Sequence, residues 1–349
     1  MAAFPLLRIS HDCVRRSDSP VRLGDSVIPA LILLICVCIP VLGYRMAQLQ
    51  SMAVKRSLVW GMTVSALLLA DRIMLFQSPA LRMIAIIGVL LYAMKSVTYV
   101  ECSSRDKRKL PVLRWIAFHL WIGMRPYVFA KRKAEPYRDA RKYIELGIKR
   151  FLLGLLLVVL SWFLWHSAVQ WNWNHRYSMI GATALLLTGL SFAGHFGLLN
   201  IWAGVWRWAG FDCQQLFRNP AMSRSLNEFW SKRWNLAFSE MTTLGVYRPL
   251  IGVVGKNGAA FASFLFSGIL HELAISLPVR QSFGMPLFYF VIHGAGIVIE
   301  RTLEKWDLPV SGVPWLGRIW TFVWLVLPVP LLFNPSFLKS IIWPIIGIY

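Results

Sequence analysis

Long apolar runs dominate this sequence of 349 residues. About nine of them are long or nearly long enough to cross a bilayer, at 27–43, 58–76, 81–97, 150–166, 178–206, 258–278, 284–300, 316–333 and 335–349. Because roughly 20 apolar residues span the hydrocarbon core as a helix, and lipid offers no partner to an unpaired backbone group, the runs predict an all-α integral membrane protein. It is expected to be one multi-pass helical bundle and a single membrane domain, 1–349.

Three features refine this topology. Segments 112–129 and 238–254 are hydrophobic but interrupted by charge, glycine and proline, and are expected to be re-entrant or interfacial. Asp71 and Arg72 lie together inside a span, where a self-compensating pair is expected. Residues 1–25 are expected to be a retained tail before the first span, with a signal peptide as the alternative.

The charge distribution excludes an ordinary cytosolic enzyme. Only 15% of the residues are charged, against roughly 25% in soluble domains. The 37 Lys and Arg outnumber the 16 Asp and Glu and cluster between apolar runs, notably at 105–109 and 131–150, as in cytoplasmic loops. Anionic lipids and phosphorylated ligands are therefore expected partners, and nucleic acid is not. The five cysteines lack CxxC spacing, which predicts no metal site.

One motif covers residues 217–235, where Ser225 and Glu228 form the pattern of a capping box that begins a helix. Residues at helical spacing then form one stripe, namely Asn227, Trp230, Ser231 and Trp234. Cationic residues occupy the rest of the circumference, namely Arg224, Lys232 and Arg233. This helix either anchors at the membrane interface or binds a phosphorylated group on its cationic side.

A second motif places His271 and Glu272 deep in the apolar run 258–278. Ionisable residues inside a span are costly and indicate function. Small residues, Ser267 and Gly268, share the helical face of His271 and leave room for a substrate. A neutral histidine is a natural general base near pH 7, although a structural histidine joining two helices is the alternative.

These motifs together resemble the wax synthase branch of the membrane-bound O-acyltransferases. The resemblance rests on Phe217 and Pro220, on residues 225–235 with their Phe-Trp-x-x-Arg-Trp-Asn ending, and on residues 264–272. Weaker similarity lies at 119–124, where Ile122 stands in place of an expected proline, and at 284–301. The resemblance covers an acyltransferase core at about 110–305.

The resemblance implies transfer of a long-chain acyl group from acyl-CoA to a lipid hydroxyl inside a tunnel in the bilayer. His271 takes the position of the family's catalytic histidine and Asn235 that of its second active-site residue. Acyl-CoA is then a co-substrate, and no bound cofactor is expected. The cationic helix is expected to hold it, through Arg224, Trp230, Lys232, Arg233 and Trp234. The expected membrane is a bacterial inner membrane or the endoplasmic reticulum.

Other histidines leave alternatives open. His195 has small neighbours in an apolar run and is expected to pack between helices or to line the tunnel. Ser267 and His293 are expected to line the tunnel. A transporter or proton-coupled channel using His271, Glu272 and His195 is the alternative function. A noncatalytic lipid-binding relative is disfavoured because both expected active-site residues are present.

Overall fold

The computed structural model describes residues 27–103, 110–308 and 310–348, and these residues form helices and connecting turns. The expected tail and the basic cluster at 105–109 lie outside the described residues. The α-helices are α1 (Val27–Met46), α2 (Met52–Ile73), α3 (Pro79–Ser103), α4 (Val112–Leu120), α5 (Ala140–Gln170), α6 (His175–Ser191), α7 (Leu199–Trp208), α8 (Leu226–Glu228), α9 (Leu236–Thr242), α10 (Arg248–His271), α11 (Leu277–Val279), α12 (Met285–Lys305), α13 (Pro314–Val326), α14 (Val329–Leu332) and α15 (Pro335–Phe337).

Wider π-helical turns continue several of these helices. They lie at Phe192–Leu198, Phe229–Arg233, Thr243–Tyr247, Glu272–Ser276 and Leu338–Ile342. Short 3₁₀ turns lie at Pro126–Phe129, Pro220–Met222, Val310–Gly312 and Trp343–Ile346. A π-helical turn inside an α-helix contains one extra residue, and such turns are frequent at functional sites.

Seven helical segments of the described chain are long and apolar enough to cross a membrane: Val27–Met46, Met52–Ile73, Pro79–Ser103, Ala140–Gln170, His175–Trp208, Leu236–Val279 and Pro314–Leu332. The expected multi-pass helical membrane protein is thereby confirmed. The two other expected spans correspond to α12, whose last turns are charged, and to the shorter segment Pro335–Ile346. The total of about nine crossings stays a prediction.

The segment Leu236–Val279 contains a break at Gly255. Its φ of 70° and ψ of 177° interrupt the helix between two straight parts, and a positive φ of this kind suits glycine. The break separates the interrupted segment 238–254 from the apolar run 258–278, where the sequence placed the same boundary.

Small residues bring α5 against α7 and against the π-helical turn Phe192–Leu198 that precedes it. A Cβ atom at Gly154 would lie 2.3 Å from the backbone nitrogen of Ala193, and one at Gly147 would lie 2.7 Å from that of Ile201. Close backbone approach through small residues is a common way for helices to associate in lipid. This contact fixes the position of the helix that carries His195.

Two sets of polar interactions hold the central helix α3. Lys95 is fully buried and donates to the carbonyl oxygens of Phe118, at 2.8 Å, and Gly123, at 2.7 Å, which ties α4 to α3. Asp71 pairs with Arg82 at 2.6 Å and with Arg280 at 3.3 Å. The prediction that Asp71 pairs with Arg72 is wrong, because a long side chain on the next helix reaches the carboxylate more directly than its helical neighbour does.

Candidate active site

A cavity of about 740 Å³ lies between the 217–235 segment and helices α6, α9, α10, α12 and α13. This volume is within the range of ligand sites. Both sequence motifs contribute to its walls, since Asn235 and His271 line it. Most of its remaining surface is apolar, with hydroxyl groups from Ser191, Ser223, Ser231, Ser239, Thr242, Thr243, Tyr247, Ser263, Ser267, Tyr289 and Thr321. The cavity therefore suits an apolar ligand with few polar atoms.

His271 is the last residue of α10, directly before the π-helical turn Glu272–Ser276. Its Nδ1 lies 2.7 Å from the carbonyl oxygen of Ser267, one helical turn earlier. A carbonyl oxygen can only accept, so Nδ1 carries the proton and Nε2 of the neutral ring is left as an acceptor. The rings of Phe290, at 4.2 Å between centroids, and Phe238, at 5.3 Å, fix the imidazole in place.

Asn235 adopts a left-handed backbone conformation, with φ of 41°, at the start of α9. Asparagine is one of the few residues that tolerate this conformation. Its Oδ1 accepts from the backbone N–H of Phe238 at 3.3 Å and so caps α9. Since the oxygen is engaged, the amide NH₂ is the group of this side chain that can donate to a ligand. Phe238 thus touches both Asn235, through its backbone, and His271, through its ring.

The four residues of the predicted stripe, Asn227, Trp230, Ser231 and Trp234, all line the cavity. Trp230 contacts the ring of Phe290 at 5.6 Å between centroids, and Trp234 stacks on Phe229 at 5.5 Å. The two tryptophans therefore belong to the apolar wall of the cavity. The stripe faces inward, which an interfacial anchor would not require.

His195 and Ser267 also line the cavity, as the sequence predicted for a tunnel. His195 lies in the π-helical turn Phe192–Leu198, stacks on Phe217 at 4.9 Å and stands 5.9 Å from Trp234. Ser267 donates to the carbonyl oxygen of Ser263. Gly268, expected on the open face, instead packs against α12, where a Cβ atom would lie 2.7 Å from Leu287.

His293 is not among the residues that line the cavity, contrary to the expectation for it. It is fully buried, and its Nδ1 lies 2.8 Å from the carbonyl oxygen of Tyr289. The rings of Tyr289 and Trp230, at 4.2 and 5.4 Å, pack against it. Tyr289 and Ile297, one turn before and one turn after His293, line the cavity, so His293 lies on the same face of α12. The Trp230 ring, itself part of the wall, packs against His293, which therefore lies behind the wall.

The predicted cationic residues divide into two sets. Arg224 and Lys232 are exposed. Arg233 instead forms an ion pair with Glu228 at 2.7 Å and donates to the carbonyl oxygens of Arg218 and Asn219, at 3.3 Å each. Its guanidinium is therefore occupied in holding the segment together. The structure adds Arg301, which lines the cavity and also contacts Asn257 at 3.2 Å.

The start of α8 has more caps than the sequence predicted. Ser225 Oγ accepts from the Glu228 N–H at 3.0 Å, as in a capping box. Glu228 accepts from the backbone N–H of Arg224, at 2.8 Å, where the pattern predicted that of Ser225. Burial opposes ionisation of Glu228, but this hydrogen bond and the Arg233 guanidinium outweigh it and lower the pKa of Glu228.

Glu300, on α12, supplies the remaining caps and was not predicted. Its two oxygens accept from the backbone N–H groups of Leu226, at 2.6 Å, and Asn227, at 2.9 Å, and the indole N–H of Trp320 donates to it at 2.9 Å. Glu300 is 2% exposed. A carboxylate at a helix N-terminus is favoured by the helix dipole. Glu300 thus attaches the motif segment to a long helix.

Glu272 does not line the cavity, although it follows His271 directly. Its Oε1 accepts from the backbone N–H of Leu287, at 2.9 Å, in the first turn of α12. This contact joins the turn that follows His271 to the start of α12. The adjacent pair is therefore divided: the imidazole borders the cavity and the carboxylate caps a helix.

Comparison with known proteins gives matches centred on the same region. Residues 213–292 match the membrane bound O-acyl transferase family. The probable long-chain-alcohol O-fatty-acyltransferases 6 and 1 of Arabidopsis thaliana are each 32% identical, over 139 and 200 residues. These alignments cover 35% and 52% of this chain and 40% and 55% of the relatives. The acyl-CoA–sterol O-acyltransferase 1 of the same plant is 29% identical over 149 residues, 39% of this chain and 42% of that protein.

The chain thus spans about half the length, or less, of the curated relatives it matches. The matched region includes the cavity residues Asn235 and His271. The resemblance seen in the sequence is confirmed over this region, and the chain is an integral multi-pass membrane protein.

Proposed function

We propose that this chain, which is similar to the wax synthase-like membrane-bound O-acyltransferases, transfers a long-chain acyl group from acyl-CoA to the hydroxyl of a long-chain or other lipid alcohol. The observation that carries the proposal is that His271 and Asn235 line one cavity. The Nδ1 of His271 and the Oδ1 of Asn235 form local hydrogen bonds, so the Nε2 of His271 and the NH₂ of Asn235 are left for a substrate. The matched relatives are named for long-chain-alcohol and sterol acyltransferases.

In the proposed reaction His271 acts as the general base. Its Nε2 accepts the proton of the acceptor hydroxyl as the oxygen attacks the thioester carbonyl carbon. The carbon–sulfur bond then breaks, and the departing CoA thiolate takes the proton back from His271. The thioester is already activated, so the scheme needs no acyl-enzyme intermediate.

Asn235 is the proposed partner for the developing negative charge. As the carbonyl oxygen becomes an oxyanion, the amide NH₂ donates a hydrogen bond to it. The capping contact with Phe238 holds the amide before the substrate arrives. A donor fixed in advance needs little reorganisation during the reaction.

The acyl donor is proposed to enter beside Arg224 and Lys232. Both are exposed next to lining residues Ser223 and Ser231, and Arg301 lines the same cavity. Phosphate groups of CoA are the acidic partners that guanidinium and ammonium groups bind. Arg233 supports this surface through its ion pair with Glu228. The acyl chain would then lie in the cavity, against the apolar wall that includes Trp230 and Trp234.

The transporter alternative receives less support. A proton relay through His271 and Glu272 requires both groups to face one pathway, whereas Glu272 caps α12 and does not line the cavity. His195 is the other histidine of the cavity wall, with its ring against Phe217 and Trp234. It serves as a second candidate base in the test below.

The test is acyl transfer from palmitoyl-CoA to hexadecanol by the purified full chain, with the ester measured by mass spectrometry. His271→Ala is expected to lower the rate by about 10²–10⁴, the usual contribution of a general base, while binding of palmitoyl-CoA is retained. His195→Ala is expected to keep most of the activity. A well-folded His271→Ala protein with the parent rate would refute the mechanism, and an inactive His195→Ala protein would transfer the role of base to His195.

A further inference from the structure

A second apolar groove lies apart from the cavity and is lined by other helices. Its volume is about 1220 Å³, and its walls are one face each of α1, α3 and α4 with the end of α2. It shares no lining residue with the cavity that contains His271. Nothing in the proposed reaction uses it.

The groove runs along almost the whole of α1, from Ile28 to Arg45. At 1.5 Å per residue this is about 25 Å, close to the roughly 30 Å thickness of the hydrocarbon core. Neighbouring side chains of α1, such as Leu33 and Val37, are more than half exposed, as expected for a surface that faces lipid. A ligand of the groove therefore comes from the bilayer and has a long apolar body.

One polar atom in its wall lacks a partner. His119 lines the groove and is only 7% exposed, and its Nε2 has no hydrogen-bond partner among the described residues. Its Nδ1 lies 3.0 Å from the carbonyl oxygen of Trp115, so Nδ1 carries the proton and Nε2 is the acceptor. Buried polar atoms nearly always have a hydrogen-bond partner, so the unpaired Nε2 of His119 indicates a missing donor.

The charge of the groove restricts the ligand further. Among the described residues that line it, Arg45, at one end, is the one with a permanent charge. Tyr44 already donates to the carbonyl oxygen of Leu110 at 3.1 Å. An acceptor atom in an apolar wall is matched by a donor on an apolar molecule, which is the chemistry of a single hydroxyl on a hydrocarbon chain.

We propose that this groove binds a long-chain alcohol, whose hydroxyl donates a hydrogen bond to His119 Nε2. The atom is covered by neighbouring side chains, and Tyr92 stacks on His119 at 6.1 Å and also lines the groove. The proposed hydrogen bond therefore requires the Tyr92 ring to rotate and admit the hydroxyl. The alkyl chain lies along α1 toward Ile28. Binding here does not depend on the acyl transfer proposed for the other cavity.

The test uses a diazirine-bearing hexadecanol and the purified full chain, with labelled peptides of α1, α3 and α4 counted separately from those of the His271 cavity. Saturable labelling of the groove peptides is expected. Hexadecanol is expected to compete about 2- to 10-fold better than its methyl ether, because a neutral hydrogen bond contributes roughly 0.5–1.5 kcal/mol.

Two variants locate the effect. His119→Phe is expected to remove the preference for hexadecanol over the ether, and His166→Phe is its control, since His166 makes the same contact with a carbonyl one turn earlier but lies outside the groove. Gly88→Leu is expected to block groove labelling, because a Cβ atom there has only Cys36 nearby, at 3.9 Å. Gly61→Leu, in open space on α2, is its control.

Each result decides the proposal separately from the enzyme assay. Equal competition by alcohol and ether would show that the groove holds any hydrocarbon chain, and groove labelling that survives Gly88→Leu would show that the probe does not lie in the groove. Either result would overturn the proposal. Loss of groove labelling in Gly88→Leu with unchanged labelling of the His271 cavity would support it, whether or not the protein transfers acyl groups.

Discussion

Replacing Asn235 by aspartate separates the two tasks proposed for this side chain. Its Oδ1 caps α9, and its NH₂ is the proposed donor to the oxyanion. Aspartate keeps an acceptor at the capping position, is as good an N-cap as asparagine and tolerates the left-handed backbone. It replaces the donor by a second oxygen and adds a negative charge, which also opposes a developing oxyanion. Alanine would remove the cap, the donor and the residue type suited to a φ of 41°.

The expected magnitudes distinguish the two variants. Asn235→Ala loses a cap worth about 0.5–2 kcal/mol and places alanine in a conformation that costs roughly 1–2 kcal/mol. Its unfolding free energy is therefore expected to fall by about 1.5–4 kcal/mol. Asn235→Asp keeps the cap and is expected to lose less unfolding free energy than Asn235→Ala, yet to lose at least about 10²–10³ in kcat, because the donor is removed and the carboxylate repels the oxyanion.

The assay is ester formation from palmitoyl-CoA and hexadecanol, run beside thermal unfolding in the same detergent. Asn174→Asp is the matched control, because Asn174 also caps a helix, α6, through its Oδ1, which lies 3.1 Å from the backbone nitrogen of Arg176. Asn174 is not among the residues that line the cavity. It is expected to keep the parent rate. Parent-level kcat in a folded Asn235→Asp protein would refute the donor role, and lost folding would refute the reading of its capping contact.

Two further predictions address substrate binding and stability. Arg224→Ala with Lys232→Ala is expected to raise the KM for palmitoyl-CoA more than it lowers kcat, since exposed cations bind phosphate without touching the thioester; an unchanged KM would remove the CoA assignment. Glu300→Ala leaves three donors without their acceptor, each such bond to a charged group being worth about 1.5–3 kcal/mol. Thermal unfolding should show a loss of roughly 3 kcal/mol or more, and the exposed neighbour Glu304→Ala should show almost none.

Local patterns in the sequence predicted much of the site because the physics behind them is local. Helical spacing placed Asn227, Trp230, Ser231 and Trp234 on one face, and that face lines the cavity. The first half of the capping box, from Ser225 to the Glu228 N–H, forms as the pattern indicates. Each of these contacts joins residues within two turns of one helix, where the backbone geometry is known in advance.

Contacts between distant segments were the ones that sequence spacing could not supply. Asp71 is adjacent to Arg72 but pairs with Arg82 on the next helix. Lys95 lies in an apolar run and donates to the backbone carbonyl oxygens of Phe118 and Gly123. Every residue has such a carbonyl group, so the sequence does not indicate which ones Lys95 contacts. His293 lies on the face of α12 that lines the cavity, yet the ring of Trp230 packs against it and it is not among the lining residues. In each case the packing of two helices decides the outcome, and that packing depends on residues far apart in sequence.

Buried acidic residues of this chain show how a functional signal and a structural one become confused. A carboxylate in an apolar run indicates function when only sequence is considered, and by that rule Glu272 and Glu300 rank with His271. Both carboxylates instead accept backbone N–H groups at the start of another helix, Leu287 for one and Leu226 with Asn227 for the other. Helix starts inside a membrane protein lack water to satisfy them, so a distant carboxylate is a physical solution to the unpaired donors. His271 instead donates from Nδ1 to the Ser267 carbonyl oxygen of its own helix, and its Nε2 is left as an acceptor. It is therefore the ionisable group of the motif that can act as a general base.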